Sequence, residues 1–226
     1  MKFLVFSPHP DDLDFGCGGT LAKLSDQGNK VEACIVTDGS KGGSTDMEVD
    51  KLVETRKQEQ LKSAEILGLE EVHFLNEKDG EVENTKSLRE KMVRKIRKLK
   101  PDVVLSFDPA NRNFDNRYVA HRDHREVSRA VFDSVSPASK NSSYFPEHID
   151  RGLEPHRVGE MWFFGTRRPD KRLDIEDTFE RKLEAILSHE SQIDDTEELR
   201  ETVERRAREM GGEEFRYAEN FRVLEV

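Results

Sequence analysis

Two groups of residues in this sequence have side chains suited to metal binding and hydrolysis. His9 is followed by the adjacent carboxylates Asp11 and Asp12, and His121 and His124 form a second group much later in the chain. Imidazole nitrogens and carboxylate oxygens are ligands of catalytic zinc, which keeps one position open for water. The same side-chain types serve as general bases and stabilise a developing oxyanion. The residue types therefore predict a metal-dependent hydrolytic site, provided that the fold brings the two groups together.

The first group occupies a turn between a short apolar segment and the start of a helix. Residues 2–6 are typical of a buried strand, and the helical pattern that begins at Thr20 ends at Gly28. Ligands of open α/β sheets bind at turns of this kind. A polar loop with one capping Asp is the simpler interpretation, but it explains neither a second carboxylate nor a histidine between Pro8 and Pro10. We therefore interpret the turn as functional.

Strands and helices alternate along the rest of the chain. Further apolar runs predict strands at residues 31–36, 72–75, 103–107 and 158–164. Helical patterns predict helices at about residues 46–67, 88–99, 120–134, 174–187 and 196–210, and residues 137–155 read as irregular. Such alternation predicts an α/β fold with a parallel sheet and right-handed crossovers. The length suits a single domain, and we assign residues 1–226 to one.

The predicted topology brings the two groups of residues together. In a doubly wound sheet of order 3-2-1-4-5, strands one and four are neighbours at the switch point. His9, Asp11 and Asp12 follow strand one, whereas His121 and His124 follow strand four. Two imidazoles and one carboxylate meeting there would form a three-ligand zinc site with an open position. The groups left over are of the types that a hydrolase needs as a proton acceptor and an oxyanion stabiliser.

Composition excludes several classes of function. The formal net charge is −10 and charged residues make up 37% of the chain, which argues against nucleic-acid binding and against binding to anionic membranes. A heavily charged surface also fits adaptation to heat or to salt. Cys17 and Cys34 lack metal-binding spacing and read as reduced thiols. Without a membrane-length apolar stretch or a signal-peptide core, we expect a soluble cytoplasmic protein without a membrane anchor.

The motifs resemble those of the PIG-L/LmbE family of zinc-dependent de-N-acetylases. The resemblance begins with His9-Pro10-Asp11-Asp12, continues in Gly16-Cys17-Gly18-Gly19-Thr20, and returns in His121-x-x-His124. Further similar stretches are residues 37–39, Arg56 with Glu59, Asp79, residues 188–192 and residues 217–221. The resemblance implies a Rossmann-like, doubly wound and mostly parallel sheet with helices on both faces. It also implies removal of the acetyl group from N-acetylglucosamine conjugates.

Roles for individual residues follow from the same resemblance. His9, Asp12 and His124 match the family's metal ligands, so Zn²⁺ is the expected cofactor. Asp11 matches the general base, and His121 matches the residue that assists at the carbonyl.

Several other positions have roles that are less directly implied. Many family members carry Glu after the two aspartates, where this chain has Leu13; we interpret the acid one position later, Asp14, as a supporting or capping residue. Arg56 and Asp79 are expected to contact substrate, although a helix ion pair and a turn would also explain them. His189 either reaches the site or only ends a helix.

We expect the substrate to be a small N-acetylated amino sugar or a short chitooligosaccharide. A soluble acidic chain is poorly suited to finding a sugar anchored in a bilayer. The polar loops at residues 76–83 and 108–119 could bind hydroxyl groups, with Asp115, Asn116 and Arg117 as candidates. Thiol-precursor conjugates of the mycothiol and bacillithiol type are the alternative, and homo-oligomer formation stays open.

Three other functions fit these residues less well than hydrolysis does. A dinucleotide site fails because Leu21 stands where G-x-G-x-x-G needs glycine, and the acidic turn would repel a pyrophosphate. A non-haem iron oxygenase uses two histidines and one carboxylate, but Asp11 is surplus to that chemistry. A non-catalytic metal- or sugar-binding module would not need all five catalytic-type residues. Hydrolysis is therefore the favoured interpretation.

Overall fold

Seven strands form one sheet in the computed structural model, which describes residues 1–43, 47–111, 114 and 116–226. The strands are β1 (Lys2–Ser7), β2 (Lys30–Thr37), β3 (Glu71–Glu77), β4 (Val103–Phe107), β5 (Glu160–Phe164), β6 (Lys171–Asp174) and β7 (Ala218–Glu225). Their order is β3-β2-β1-β4-β5-β7-β6.

The first five strands confirm the predicted parallel order. β1 is central and pairs in parallel with β2 on one side and with β4 on the other, so that Phe3 faces both Val31 and Val103. β7 then runs antiparallel to β5, and β6 runs antiparallel to β7. Neither β6 nor β7 was predicted as a strand from the sequence. β6 is short and lacks buried residues, so it has no apolar pattern to reveal it.

Six helices cover the two faces of the sheet in the described part of the chain. They are α1 (Asp12–Asp26), α2 (Val49–Leu67), α3 (Lys86–Leu99), α4 (Arg122–Asp133), α5 (Phe179–Leu187) and α6 (Thr196–Gly211). One core joins Leu21 of α1 to Val5 and Leu105 of the sheet, and the other joins Met92 of α3 and Val127 of α4 to the opposite face. The doubly wound architecture is therefore confirmed.

The start of α1 differs from its prediction. The helix begins at Asp12 rather than near Thr20, with a kink at Cys17, where φ is −153°. Its glycines allow close packing on the sheet: a Cβ on Gly16 would lie 2.5 Å from the ring of Phe164, and one on Gly19 would lie 2.7 Å from Ile175. Tertiary packing, which the sequence pattern does not display, lets a glycine-rich segment continue a helix.

Smaller differences concern other boundaries. α2 begins at Val49, and the start predicted at residue 46 lies outside the described residues. The segment expected to be irregular contains short helical turns at Ser134–Ser139 and Pro146–Arg151. Among the helices that the structure describes, none combines the length and apolar character needed to cross a bilayer.

Candidate metal and catalytic site

The two groups of histidines and carboxylates meet at the carboxyl ends of β1 and β4. Three side-chain atoms form a tight triangle: His9 Nδ1 lies 3.0 Å from Asp12 Oδ2 and 3.2 Å from His124 Nε2. The third side, between His124 Nε2 and Asp12 Oδ2, measures 3.1 Å. All three side chains are buried or nearly so, and the ring of His124 stacks on Phe107 with centroids 4.3 Å apart. The fold therefore aims two nitrogens and one oxygen at a common point.

The carboxylates around His9 fit a cation at that point. Its Nε2 faces two carboxylates, Asp123 Oδ2 at 3.0 Å and Asp79 Oδ1 at 3.1 Å. Asp123 also accepts hydrogen bonds from the main-chain N–H groups of Gly80 and Val82. Burial lowers the pKa of His9, but the carboxylates of Asp12, Asp123 and Asp79 outweigh this effect and hold the pKa well above its usual range. A ring that gives up one proton to a bound cation would keep the other on Nε2, between Asp79 and Asp123, and direct the Nδ1 lone pair into the triangle. The donor set matches a three-ligand site for a divalent metal ion.

The electrostatic environment separates the two adjacent carboxyls. Burial disfavours charge on Asp12, but the neighbouring His124 and His9 hold the pKa of this carboxyl well below its usual range. Burial and the negative charge of Asp12 instead raise the pKa of Asp11 to about 6, against the opposing effect of Arg56. Asp12 is therefore suited to remain ionised, whereas Asp11 is suited to accept and release a proton.

Asp11 has an unusual backbone conformation. Its φ of 94° is positive, and its main-chain N–H donates to Gln60 Oε1 at 2.9 Å. Arg56 Nη2 donates to Asp11 Oδ2 at 3.1 Å and to the main-chain oxygen of Pro10 at 2.8 Å. Two residues of α2 therefore hold Asp11 at the wall of the cleft.

His121 caps the N-terminus of α4 beside the same cleft. Its Nδ1 accepts a hydrogen bond from the main-chain N–H of Asp123 at 3.2 Å. Burial and the neighbouring rings of His9 and His124 lower the pKa of His121. The neutral ring consequently carries its proton on Nε2, where it can donate a hydrogen bond to a bound group.

A cleft of about 260 Å³ opens onto these residues and includes both predicted substrate contacts, Arg56 and Asp79. Each is also engaged by the protein: Arg56 Nη1 donates to the main-chain oxygen of Gly39 at 2.9 Å, and Asp79 Oδ2 accepts from the N–H of Lys41 at 2.9 Å. The cleft is also lined by Lys41, Gly42, Tyr118 and Gln192.

Some residues near the cleft were not identified from the sequence. Asp123 lies inside the His121-x-x-His124 motif, so a carboxylate next to a predicted ligand was a usable signal. Tyr118 and Gln60 carried no such signal, because only tertiary contacts place them here. Of the loop candidates, Asp115 lies outside the described residues, and Asn116 lines a separate apolar cavity.

The glycine-rich turn does not offer a phosphate site. The main-chain N–H groups of Gly19 and Thr20 donate to the carboxylate of Glu219 at 3.1 and 2.7 Å. Lys182 forms an ion pair with the same buried carboxylate. Two main-chain N–H groups of this segment, of the kind that bind phosphate at a helix N-terminus, are thus already paired with a side chain of this protein.

The remaining histidines do not line the cleft. His189 is buried behind Asp11, with its Nε2 2.9 Å from Asp14 Oδ2. His148 lies in the segment that was predicted to be irregular, but it is fully buried and its Nε2 lies 2.6 Å from Glu90 Oε1. The carboxylate of Glu90 in α3 pairs with this ring and makes its burial favourable. The composition of the loop gave no indication of that partner.

Comparisons with known proteins extend the likeness over the whole chain. Residues 4–135 match the family described as PIG-L, GlcNAc-PI de-N-acetylase. The diacetylchitobiose deacetylase of Thermococcus kodakarensis is 38% identical over 99% of this chain and 83% of that protein. The structure of N,N'-diacetylchitobiose deacetylase from Pyrococcus horikoshii matches with a TM-score of 0.92 at 32% identity, over 99% of this chain and 83% of that one. A probable N-acetyl-alpha-D-glucosaminyl L-malate deacetylase 2 of Bacillus cereus is 29% identical over 84% of this chain and 83% of that protein.

Proposed function

The chain belongs to the PIG-L family of de-N-acetylases, and we propose that it hydrolyses the acetamido group of an N-acetylglucosamine-type sugar. The observation that carries this proposal is the triangle of His9, Asp12 and His124 atoms beside a carboxyl suited to proton transfer. The products are acetate and the free amine of the sugar.

We propose Zn²⁺ as the metal, held by His9, Asp12 and His124. Two imidazoles and one carboxylate with an open position form a usual catalytic zinc set. Bound zinc lowers the pKa of its water to about 7 and polarises a carbonyl oxygen. The buried Asp12 carboxylate supports a dication at this point, because its Oδ2 otherwise has only the imidazoles of His9 and His124 and the main-chain N–H of His9 as partners.

The protein's own residues account for the proton transfers. Asp11 takes a proton from the attacking water and returns it to the leaving nitrogen as the C–N bond breaks. Its hydrogen bond from Arg56 directs the carboxylate into the cleft. His121 donates its Nε2 proton as a hydrogen bond to the carbonyl oxygen, where negative charge develops. We propose Asp79 and Arg56, which line the cleft, as contacts for the sugar hydroxyls.

His121→Ala should lower kcat by about 100-fold with little change in metal content, because one hydrogen bond to the developing oxyanion is lost. The measurement is kcat together with metal per chain in the purified variant. His156→Ala is the matched control, because His156 Nε2 bonds to the main-chain oxygen of Pro101, away from the cleft. An unchanged rate in His121→Ala would remove His121 from the reaction.

For the substrate, we propose a small N-acetylated amino sugar or short chitooligosaccharide free in solution. Support comes from the 38% identity to a diacetylchitobiose deacetylase and from a cleft lined by charged and amide side chains. Sugar conjugates such as the malate derivative are the alternative, because a more distant relative is described as acting on one. The buried free thiols of Cys17 and Cys34 support a cytoplasmic location.

Acetate release tests the function and the substrate together. Initial rates should be compared for N-acetylglucosamine, diacetylchitobiose and the N-acetylglucosaminyl conjugates of inositol and malate. We expect the highest kcat/KM with a free sugar, and loss of activity after chelation that is restored by added zinc. Turnover of a conjugate alone would overturn the free-sugar proposal, and acetate from none of them would overturn the deacetylase assignment.

A further inference from the structure

We propose that Gln60 is a positioning residue for Asp11 and that the buried pair Asp14 and His189 fixes the orientation of its amide. The inference rests on the proposed function, in which Asp11 is the proton acceptor. It concerns a layer of side chains behind the cleft, to which the reaction assigns no role.

The backbone at Asp11 requires external support. A φ of 94° with a ψ of −34° is uncommon for a residue with a side chain and is retained only where neighbours hold it. Gln60 is fully buried and accepts the N–H of Asp11 on its amide oxygen at 2.9 Å. The bond therefore constrains the main chain that aims the Asp11 carboxylate, while Arg56 holds the carboxylate itself.

The Gln60 side-chain amide has two orientations, which exchange its oxygen and its NH₂ group, and a neighbouring group is needed to select one of them. Its Nε2 faces Asp14 Oδ2 at 3.4 Å, and a carboxylate can only accept hydrogen bonds. The NH₂ end is thereby directed to Asp14, which leaves the oxygen for the N–H of Asp11. A reversed amide would place its NH₂ group against that N–H and leave both donors unpaired.

Asp14 is itself held in place from two sides. Ser63 Oγ donates to Asp14 Oδ1 at 2.5 Å, and His189 Nε2 lies 2.9 Å from Asp14 Oδ2. Asp14, Ser63 and His189 are almost completely buried. The network thus links α1, α2 and the segment after α5, and it ends at Asp11. A displacement of a reacting group by about 1 Å can cost about 100-fold in rate, so this support has a catalytic consequence.

The test is Gln60→Met, which preserves side-chain length and removes both hydrogen bonds of the side-chain amide, to the Asp11 N–H and to Asp14. We expect kcat per metal-loaded site to fall by about 10- to 100-fold, with KM within about twofold and metal content unchanged. Hydrogen exchange of the Asp11 amide should become faster, because its acceptor is lost. Thr178→Val is the matched control: it removes a buried hydrogen bond to the main chain of Gly19, away from Asp11, and should leave kcat unchanged.

A double-mutant cycle separates positioning from general support of the fold. If Gln60 acts through Asp11, Gln60→Met should have little further effect on the residual rate of Asp11→Asn. An equal loss in both backgrounds, or wild-type kcat in Gln60→Met alone, would overturn the proposal. Absence of acetate release from the unaltered protein would instead be a failure of the proposed function.

A second pair of variants tests the network if Gln60→Met does not fold. His189→Leu removes one hydrogen-bonding partner of Asp14, and we expect a loss in kcat of about three- to tenfold. His189→Gln still offers a donor and should recover part of that loss without a change in KM. Equal kcat in His189→Leu and the unaltered protein would exclude the Asp14–His189 pair from positioning.

Discussion

Asp11→Asn is expected to lower kcat by about 100- to 10,000-fold while metal content and KM stay close to those of the unaltered protein. The substitution removes the basicity of the side chain and little else. An Asn carbonyl oxygen can still accept the hydrogen bond from Arg56, and Asn tolerates positive φ as well as Asp does. A lower kcat would therefore reflect removal of the proton acceptor rather than a change in the shape of the site.

The control for this variant is Asp26→Asn. Asp26 pairs with Arg181 at 2.6 Å at the end of α1, outside the cleft, and the same chemical change there should leave kcat unaltered. Steady-state acetate release and metal analysis on the same preparations provide the comparison. A kcat for Asp11→Asn within a few-fold of the unaltered enzyme would show that another group accepts the proton.

The second large effect is expected for His124→Ala, which should abolish stoichiometric metal binding and, with it, acetate release. The variant keeps only two of the three proposed metal ligands. Loss of a ligand should lower the affinity for the metal more than loss of a residue that only orients a ligand. Metal per chain after gel filtration in dilute chelator is the direct measurement. Added zinc should restore little activity.

His73→Ala provides a matched control. His73 also lies in a cluster with two carboxylates, Glu32 and Glu71, but in the sheet at β2 and β3 rather than at the cleft. Its removal should leave metal content unchanged. Full retention of zinc by His124→Ala, or equal loss in both variants, would contradict the proposed ligand set.

Local sequence was sufficient to predict the parallel half of the fold. Buried parallel strands are continuous apolar runs, and β1, β2 and β4 are clear examples of this pattern. The antiparallel edge was missed for the opposite reason. β6 has charged, partly exposed residues and is held by main-chain pairing with β7, which leaves no periodic signal.

The candidate site, like the fold, could be predicted in part from local sequence. Residue types in two short motifs, together with the order of the strands, were enough to predict that His9, Asp11, Asp12, His121 and His124 share one cleft. That prediction works because parallel strands that neighbour each other at a switch point place their following turns side by side.

Only the tertiary structure decided which atoms face which partner. The pairing of His9 Nε2 with Asp79 and Asp123, and of the Asp11 main chain with Gln60, joins residues from separate elements. The sequence therefore determined the chemistry available to this protein, because that depends on residue types near strand ends. Side-chain packing decided protonation and orientation, since these depend on burial and on partners far apart in the chain.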